Sequence, residues 1–149
     1  MGEEQLSRMR EAIPRGGVGV LLVDTQNRVL LTLRKRAPEA GCWSILGGRV
    51  DFLERLEQCA VREAMEEAGV EVELIRLLCV TDHVLPDEEQ HWVAPAYLGR
   101  IINGEARNCE PDKAREVRWF DVSSIPENLT MTARNAIKAY LRERQLFES

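Results

Sequence analysis

Glu63, Glu66 and Glu67 stand at positions i, i+3 and i+4 of a stretch with helical periodicity, so their side chains project from one face, one above the other. Like charges at that spacing repel and cost stability. Hard divalent cations take oxygen ligands and convert such repulsion into coordination. Mg²⁺ in particular keeps several waters and is usually shared between one or two carboxylates and the phosphates of a substrate. A magnesium site that cleaves diphosphates is the chemistry this spacing suits. Arg62 adds a rigid planar fork for carboxylates, and Glu54 a further acid in the preceding loop.

The element that must carry these acids is a helix. Val61, Ala64, Met65 and Ala68 form an apolar stripe on its opposite face, expected to anchor in the core. Ala64 and Ala68 are small enough for close approach to a sheet, and Gly69 reads as the C-terminal stop. Before this helix, residues 3–13 read as a short helix ended by Pro14, and residues 17–23 and 28–33 as a hairpin around Asp24-Thr25-Gln26-Asn27. A polar loop over 37–41 leads to a short strand over 43–46 that delivers the chain to Gly47 and Gly48. After the helix come a long strand over 70–81, a turn at 85–88 and a strand over 91–102 that pairs back antiparallel. A loop over 103–114, a last strand over 117–120 and a closing helix over 130–145 complete the chain, the helix presenting Ala133, Ala136, Ile137, Tyr140 and Leu141 to the core. Strands interleaved with two substantial helices make a mixed sheet covered on both faces.

From Gly48 to Val70 the chain satisfies, position by position, the pattern Gly-x5-Glu-x7-Arg-Glu-U-x-Glu-Glu-x-Gly-U, with U apolar, and so resembles the Nudix box. The resemblance implies an α/β fold, the Nudix α/β/α sandwich with a central mixed β-sheet. It also implies hydrolysis of a nucleoside diphosphate linked to another moiety, with Mg²⁺ or Mn²⁺ held by the box. Carried over to this chain, the metal ligands are Glu63, Glu66 and Glu67 with the backbone carbonyl of Gly47, and Arg62 orients the acids while pairing with Glu54. Two positions depart from what many relatives carry: Leu53 precedes Glu54 where a glycine is common, and Arg55 follows it where a capping serine is common.

Outside the box, Arg15-Gly-Gly-Val-Gly-Val, Arg34-Lys-Arg, Gly41-Cys-Trp43, Asn108-Cys-Glu110-Pro111-Asp-Lys113 and Arg118-Trp119-Phe120-Asp121 are similar to the MutT-type branch. That branch hydrolyses nucleoside triphosphates, standard or oxidised, to a nucleoside monophosphate and pyrophosphate. ADP-ribose or another nucleotide sugar is the alternative substrate. Pro86, sixteen positions after the box, is a family hint for ADP-ribose that a hairpin turn explains equally. In some relatives the general base is a box glutamate, here Glu63 or Glu66; in others it lies in the loop before the last strand, where Glu110 is preferred over Glu116. Arg34 and Lys35 are placed for a phosphate clamp, with Lys113 near Glu110. Trp119 is the aromatic expected to contact the base, Trp43 and Trp92 being core residues. His83 and His91 flank the turn at Pro86 and take turn or edge roles.

The 149 residues, 44% hydrophobic and 30% charged, suit a single domain, 1–149, around one core. A net charge of -5 argues against a nucleic acid polymer as partner, since such binding is dominated by Lys and Arg on phosphates. The expected partner is a nucleotide. Nothing approaches membrane-spanning length, the first ten residues are polar rather than signal-like, and Cys42, Cys59, Cys79 and Cys109 lack zinc-ligand spacing. A cytoplasmic protein with reduced thiols and no membrane partner is expected, and similar proteins are often homodimers. From another class, a ligand-binding regulator that kept the fold and lost turnover is disfavoured by the intact acidic triad.

Overall fold

The computed structural model describes residues 2–148. In chain order the elements are α1 (Glu3–Glu11), β1 (Arg15–Leu22), β2 (Arg28–Arg34), β3 (Trp43–Ser44), β4 (Leu46–Arg49), α2 (Leu56–Ala68), β5 (Glu71–Leu85), a 3-10 turn (Pro86–Glu88), β6 (Gln90–Asn103), β7 (Ala114–Asp121) and α3 (Met131–Glu148). Four strands form a mixed sheet in the order β4-β1-β6-β5, in which β1 and β6 run parallel and the other neighbours antiparallel. The remaining three form an antiparallel sheet, β3-β2-β7.

Side chains alternate across a strand, and here the alternation divides the core between the two helices. Val18, Val20 and Leu22 pack with Ala60, Ala64 and Ala68 of α2. Leu21, Ala96 and Leu98 pack with Ala133, Ala136, Ile137 and Tyr140 of α3. Both faces of the mixed sheet are thus covered, the α/β/α arrangement expected from the interleaved pattern.

The expected hairpin of β1 and β2 is replaced by a turn between two sheets. Asp24 Oδ1 accepts the backbone N–H groups of Gln26 and Arg28, so the turn forms, but the strands meet only at the bridge Val23–Val29 before parting. Both strands bury apolar side chains on both faces, with Leu30 on the α2 side and Val29 and Leu31 on the α3 side, so each takes its own strand partners. The single strand expected over 43–46 likewise splits at Ile45 into β3 and β4, one in each sheet.

The buried seam of α2 is also rotated from the expected stripe. Cys59, Ala60, Ala64 and Ala68 are buried, whereas Val61 and Met65 are exposed by 37% and 49%. Alanine at i, i+4 and i+8 lets the helix sit close on the sheet. Glu63 and Glu67 therefore flank the seam instead of facing away from it, which decides their electrostatics.

Candidate active site

Arg62 gathers the acids. Its Nε and Nη2 donate to Glu54 Oε2 and Oε1 at 2.7 and 2.9 Å, a two-pronged pair, and Nη1 donates to Glu63 Oε1 at 2.9 Å. Nη1 also reaches Glu66 Oε2 at 3.2 Å, Nη2 reaches the Arg49 carbonyl at 3.2 Å, and Asp51 lies 3.5 Å away. The fork holds Glu54 well below the usual carboxylate range, at about 2, and these acids in turn push the Arg62 guanidinium upward. The unusual loop residues are accommodated. Leu53 takes a positive φ of 69° with its side chain in solvent, and Glu54 Oε1 accepts the Asp51 N–H. At the start of α2, Gln58 Oε1 accepts the Arg55 N–H. An arginine side chain carries only donors, so Arg55 cannot return the bond as serine would.

Two acids of the triad turn inward over the edge strand β4. Glu63 lies so close to Gly48 that a Cβ there would sit 2.4 Å from its carboxyl carbon. Glu67 Oε1 accepts the Gly47 N–H at 2.7 Å. Burial is the main cause that pushes the Glu67 carboxyl up, to about 8. The Gly47 N–H opposes it, and the nearby charges of Glu63 and Glu110 add to it. Glu63 is raised as well, first by burial, with Arg62 opposing and Glu66 and Glu110 adding. Glu66 is the outermost, its side chain 49% exposed.

The loop between β6 and β7 is clamped on the C-terminal end of α2: Arg107 N–H donates to the Ala68 carbonyl and Cys109 N–H to that of Glu67. These bonds satisfy carbonyls that a helix end leaves open. They bring Glu110 beside the triad, where Lys113 Nζ meets its Oε2 at 3.2 Å. Glu116, by contrast, is an exposed residue of β7 paired with Arg118 at 3.4 Å.

Beside this edge, on the α3 side of the mixed sheet, lies a cleft of about 240 Å³. Gly47, Gly48, Arg49 and Glu67 form part of its wall, Gly17, Gly19, Ala94 and Ala96 another part, and Arg34, Glu39, His83 and Trp92 also line it. Arg34 Nε donates to the Pro38 carbonyl at 2.8 Å, while Lys35 Nζ is bound to the Pro111 carbonyl and does not line the cleft.

A model described as NUDIX domain matches residues 13–140 of the chain. The chain belongs to the Nudix family. It is 44% identical to a MutT NUDIX hydrolase from Burkholderia pseudomallei of known structure, which superposes with a TM-score of 0.82 over 86% of this chain and 98% of that one. Its similarity to an ADP-ribose pyrophosphatase of Methanocaldococcus jannaschii is 31% identity, covering 81% of this chain and 70% of that protein. With an oxidized purine nucleoside triphosphate hydrolase of Danio rerio it shares 34% identity, covering 72% of this chain and 67% of that protein. The protein is thus a Nudix hydrolase acting on nucleotide pyrophosphate bonds, with a MutT-like fold.

Within this Nudix site, the donor set is all hard oxygen, and Gly48 leaves room for the Glu63 carboxylate where any larger residue would fill it. The residues present therefore fit a divalent cation. No three of the acids, histidines or cysteines among the described residues are gathered as a ready cage, because Arg62 holds Glu63 and Glu66 while Gly47 holds Glu67. A cation held by these acids would compete with Arg62 for Glu63 and Glu66. The part of Gly47 that meets the triad is its N–H, whereas the carbonyl was the expected donor.

Trp119, expected at the base, does not line the cleft. It packs against the core beside α2, with Arg28 over its ring at 5.7 Å. Trp92 stands in the cleft wall instead, its Nε1–H donating to Gln90 Oε1 at 3.0 Å. His83, expected at a turn or edge, lies on the edge strand β5 but is buried in the cleft wall, and His91 stands just past the turn, near the start of the internal strand β6. Thr81 and His83 at i and i+2 share one face of β5 and are both buried, and that polar pair on one face was the available signal.

Proposed function

We propose that the chain hydrolyses a nucleoside triphosphate, standard or oxidised, to a nucleoside monophosphate and pyrophosphate, with Mg²⁺ or Mn²⁺ at Glu63, Glu66 and Glu67. The observation that carries this reading is the position of Glu67: it belongs to the acidic triad and at the same time lines the cleft. A nucleotide in the cleft thus brings its phosphates to the acids. Bound divalent ions supply neutralisation of the phosphate oxygens and acidify water.

The chain's own residues supply position and proton transfer. Arg62 fixes the outer acids through the fork described above and is a positioning residue. Arg34 offers a cation at the cleft wall for a phosphate oxygen, and Lys35 stiffens the neighbouring loop through Pro111. Glu110 is the base we favour. The clamp on α2 holds it beside Glu63 and Glu67, and Lys113 Nζ pairs with its Oε2.

ADP-ribose is the second reading, favoured by the archaeal relative's name. Pro86 lends it nothing further, since it begins the 3-10 turn between β5 and β6. Initial rates with dGTP, dCTP, 8-oxo-dGTP and ADP-ribose in Mg²⁺ decide between them. Turnover of a triphosphate with release of pyrophosphate is expected, and turnover of ADP-ribose alone overturns the ranking.

A further inference from the structure

His83 is 6% exposed, yet its Nε2 is the one buried side-chain polar atom among the described residues without a hydrogen-bond partner. It lies 3.1 Å from Glu39 Oε1 with no hydrogen bond between them. Glu39 cannot swing to mend this, because its Oε2 accepts the Met131 N–H at 2.9 Å, at the start of α3. Both side chains line the cleft. A buried polar atom left unpaired costs free energy unless a ligand supplies the partner. The fold therefore brings together, 44 residues apart in sequence, an imidazole nitrogen and a carboxylate at ion-pair distance, both on residues that line the cleft, with the nitrogen left without a hydrogen bond behind its surface.

We propose that His83 and Glu39 are the specificity-determining residues of this enzyme, reading the polar edge of a heteroaromatic base through Nε2 and Oε1. The inference rests on the nucleotide reading above. A fixed carboxylate repels phosphate, so this part of the cleft takes the neutral ring and leaves the phosphates to the wall at Gly48 and Glu67. The Trp92 ring packs over Gly17 and Ile45 over Gly19, so this wall of the cleft is an apolar surface that, with Ala94 and Ala96, suits a planar ring. A base edge that places an acceptor and a donor side by side satisfies both residues. A base with the opposite order leaves one buried group unpaired, which is how such sites reject near-isosteres.

The test is kcat and KM for dATP, dGTP, dCTP, dTTP and 8-oxo-dGTP with Mg²⁺, on the wild type, His83→Leu, His83→Gln and Glu39→Gln, with a thermal melt of each. The wild type is expected to prefer one base. His83→Leu should lose roughly tenfold on that base, the scale of one hydrogen bond, through KM, with the poorer bases little changed. Its melting temperature should hold or rise, because an unpaired buried nitrogen is removed. His83→Gln, which keeps a polar nitrogen, should recover part of the preference and stands in if the leucine variant fails to fold. A wild type that ranks no base above another overturns the inference, as do variants that slow every substrate by one factor. Absence of metal-dependent turnover on every nucleotide is a different failure: it overturns the nucleotide reading and the inference with it.

Discussion

Glu67 combines two properties that a surface carboxylate lacks: burial that pushes its pKa to about 8, and a place in the wall of the cleft. Its unfolded-state value is near 4.5. A carboxyl whose pKa is higher in the folded state contributes stability below the unfolded value and loses it as pH rises toward the folded one. In EDTA, the wild type should therefore lose melting temperature relative to Glu67→Gln between about pH 4.5 and 8. A cation binds only the deprotonated form, so Mg²⁺ should reverse the loss most at the upper end. Parallel melting curves for the two proteins across that range contradict the assignment. Glu54 runs the other way: held at about 2 by the Arg62 fork, it contributes stability above about 4.5 that is lost as pH falls. The residues of the box, including the Arg62–Glu54 pair, were legible in the sequence because they lie on one loop and helix. Glu39 and His83 were not, because only the fold brings them together.

At the scale of elements, the loop before α2 tolerates two substitutions at a measurable cost. Leu53 holds φ at 69°, a conformation in which a side chain costs about 1–2 kcal/mol and glycine none, and its side chain is 86% exposed, so little packing is at stake. Leu53→Gly should therefore raise stability, by about 1 kcal/mol in urea unfolding after the extra chain entropy of glycine is offset. A loss of stability would mean that the exposed leucine makes contacts the structure does not contain. The periodic pattern placed α2 correctly but misjudged its rotation, since Val61 and Met65 outweigh alanine in an apolar count while alanine packs closer. The hairpin expectation failed for a related reason. Apolar alternation marks a strand without saying which strand lies beside it, and β1 and β2 each have two buried faces.

At the scale of the molecule, the two core halves do separate tasks. The half under α2 sets the acids along the edge strand β4, and the half under α3 borders the cleft that Gly17, Gly19, Ala94 and Ala96 help to line. The two meet at Gly47 and Gly48, where the proposed site lies. The layered α/β arrangement followed from interleaved strands and helices, whereas the division of strands into two sheets depended on long-range pairing that no local pattern encodes. The central claim is that the acids of α2 hold a divalent ion for a nucleotide in that cleft. It is tested most directly by titrating Mg²⁺ into the turnover of a nucleoside triphosphate and following products by phosphorus NMR, for the wild type, Glu66→Gln and Glu67→Gln. The account predicts saturable Mg²⁺ dependence with pyrophosphate as product in the wild type, and a loss of about a hundredfold or more in each variant, the scale of removing one transition-state electrostatic contact, with the fold retained. Wild-type rates and an unchanged Mg²⁺ dependence in both variants would contradict it.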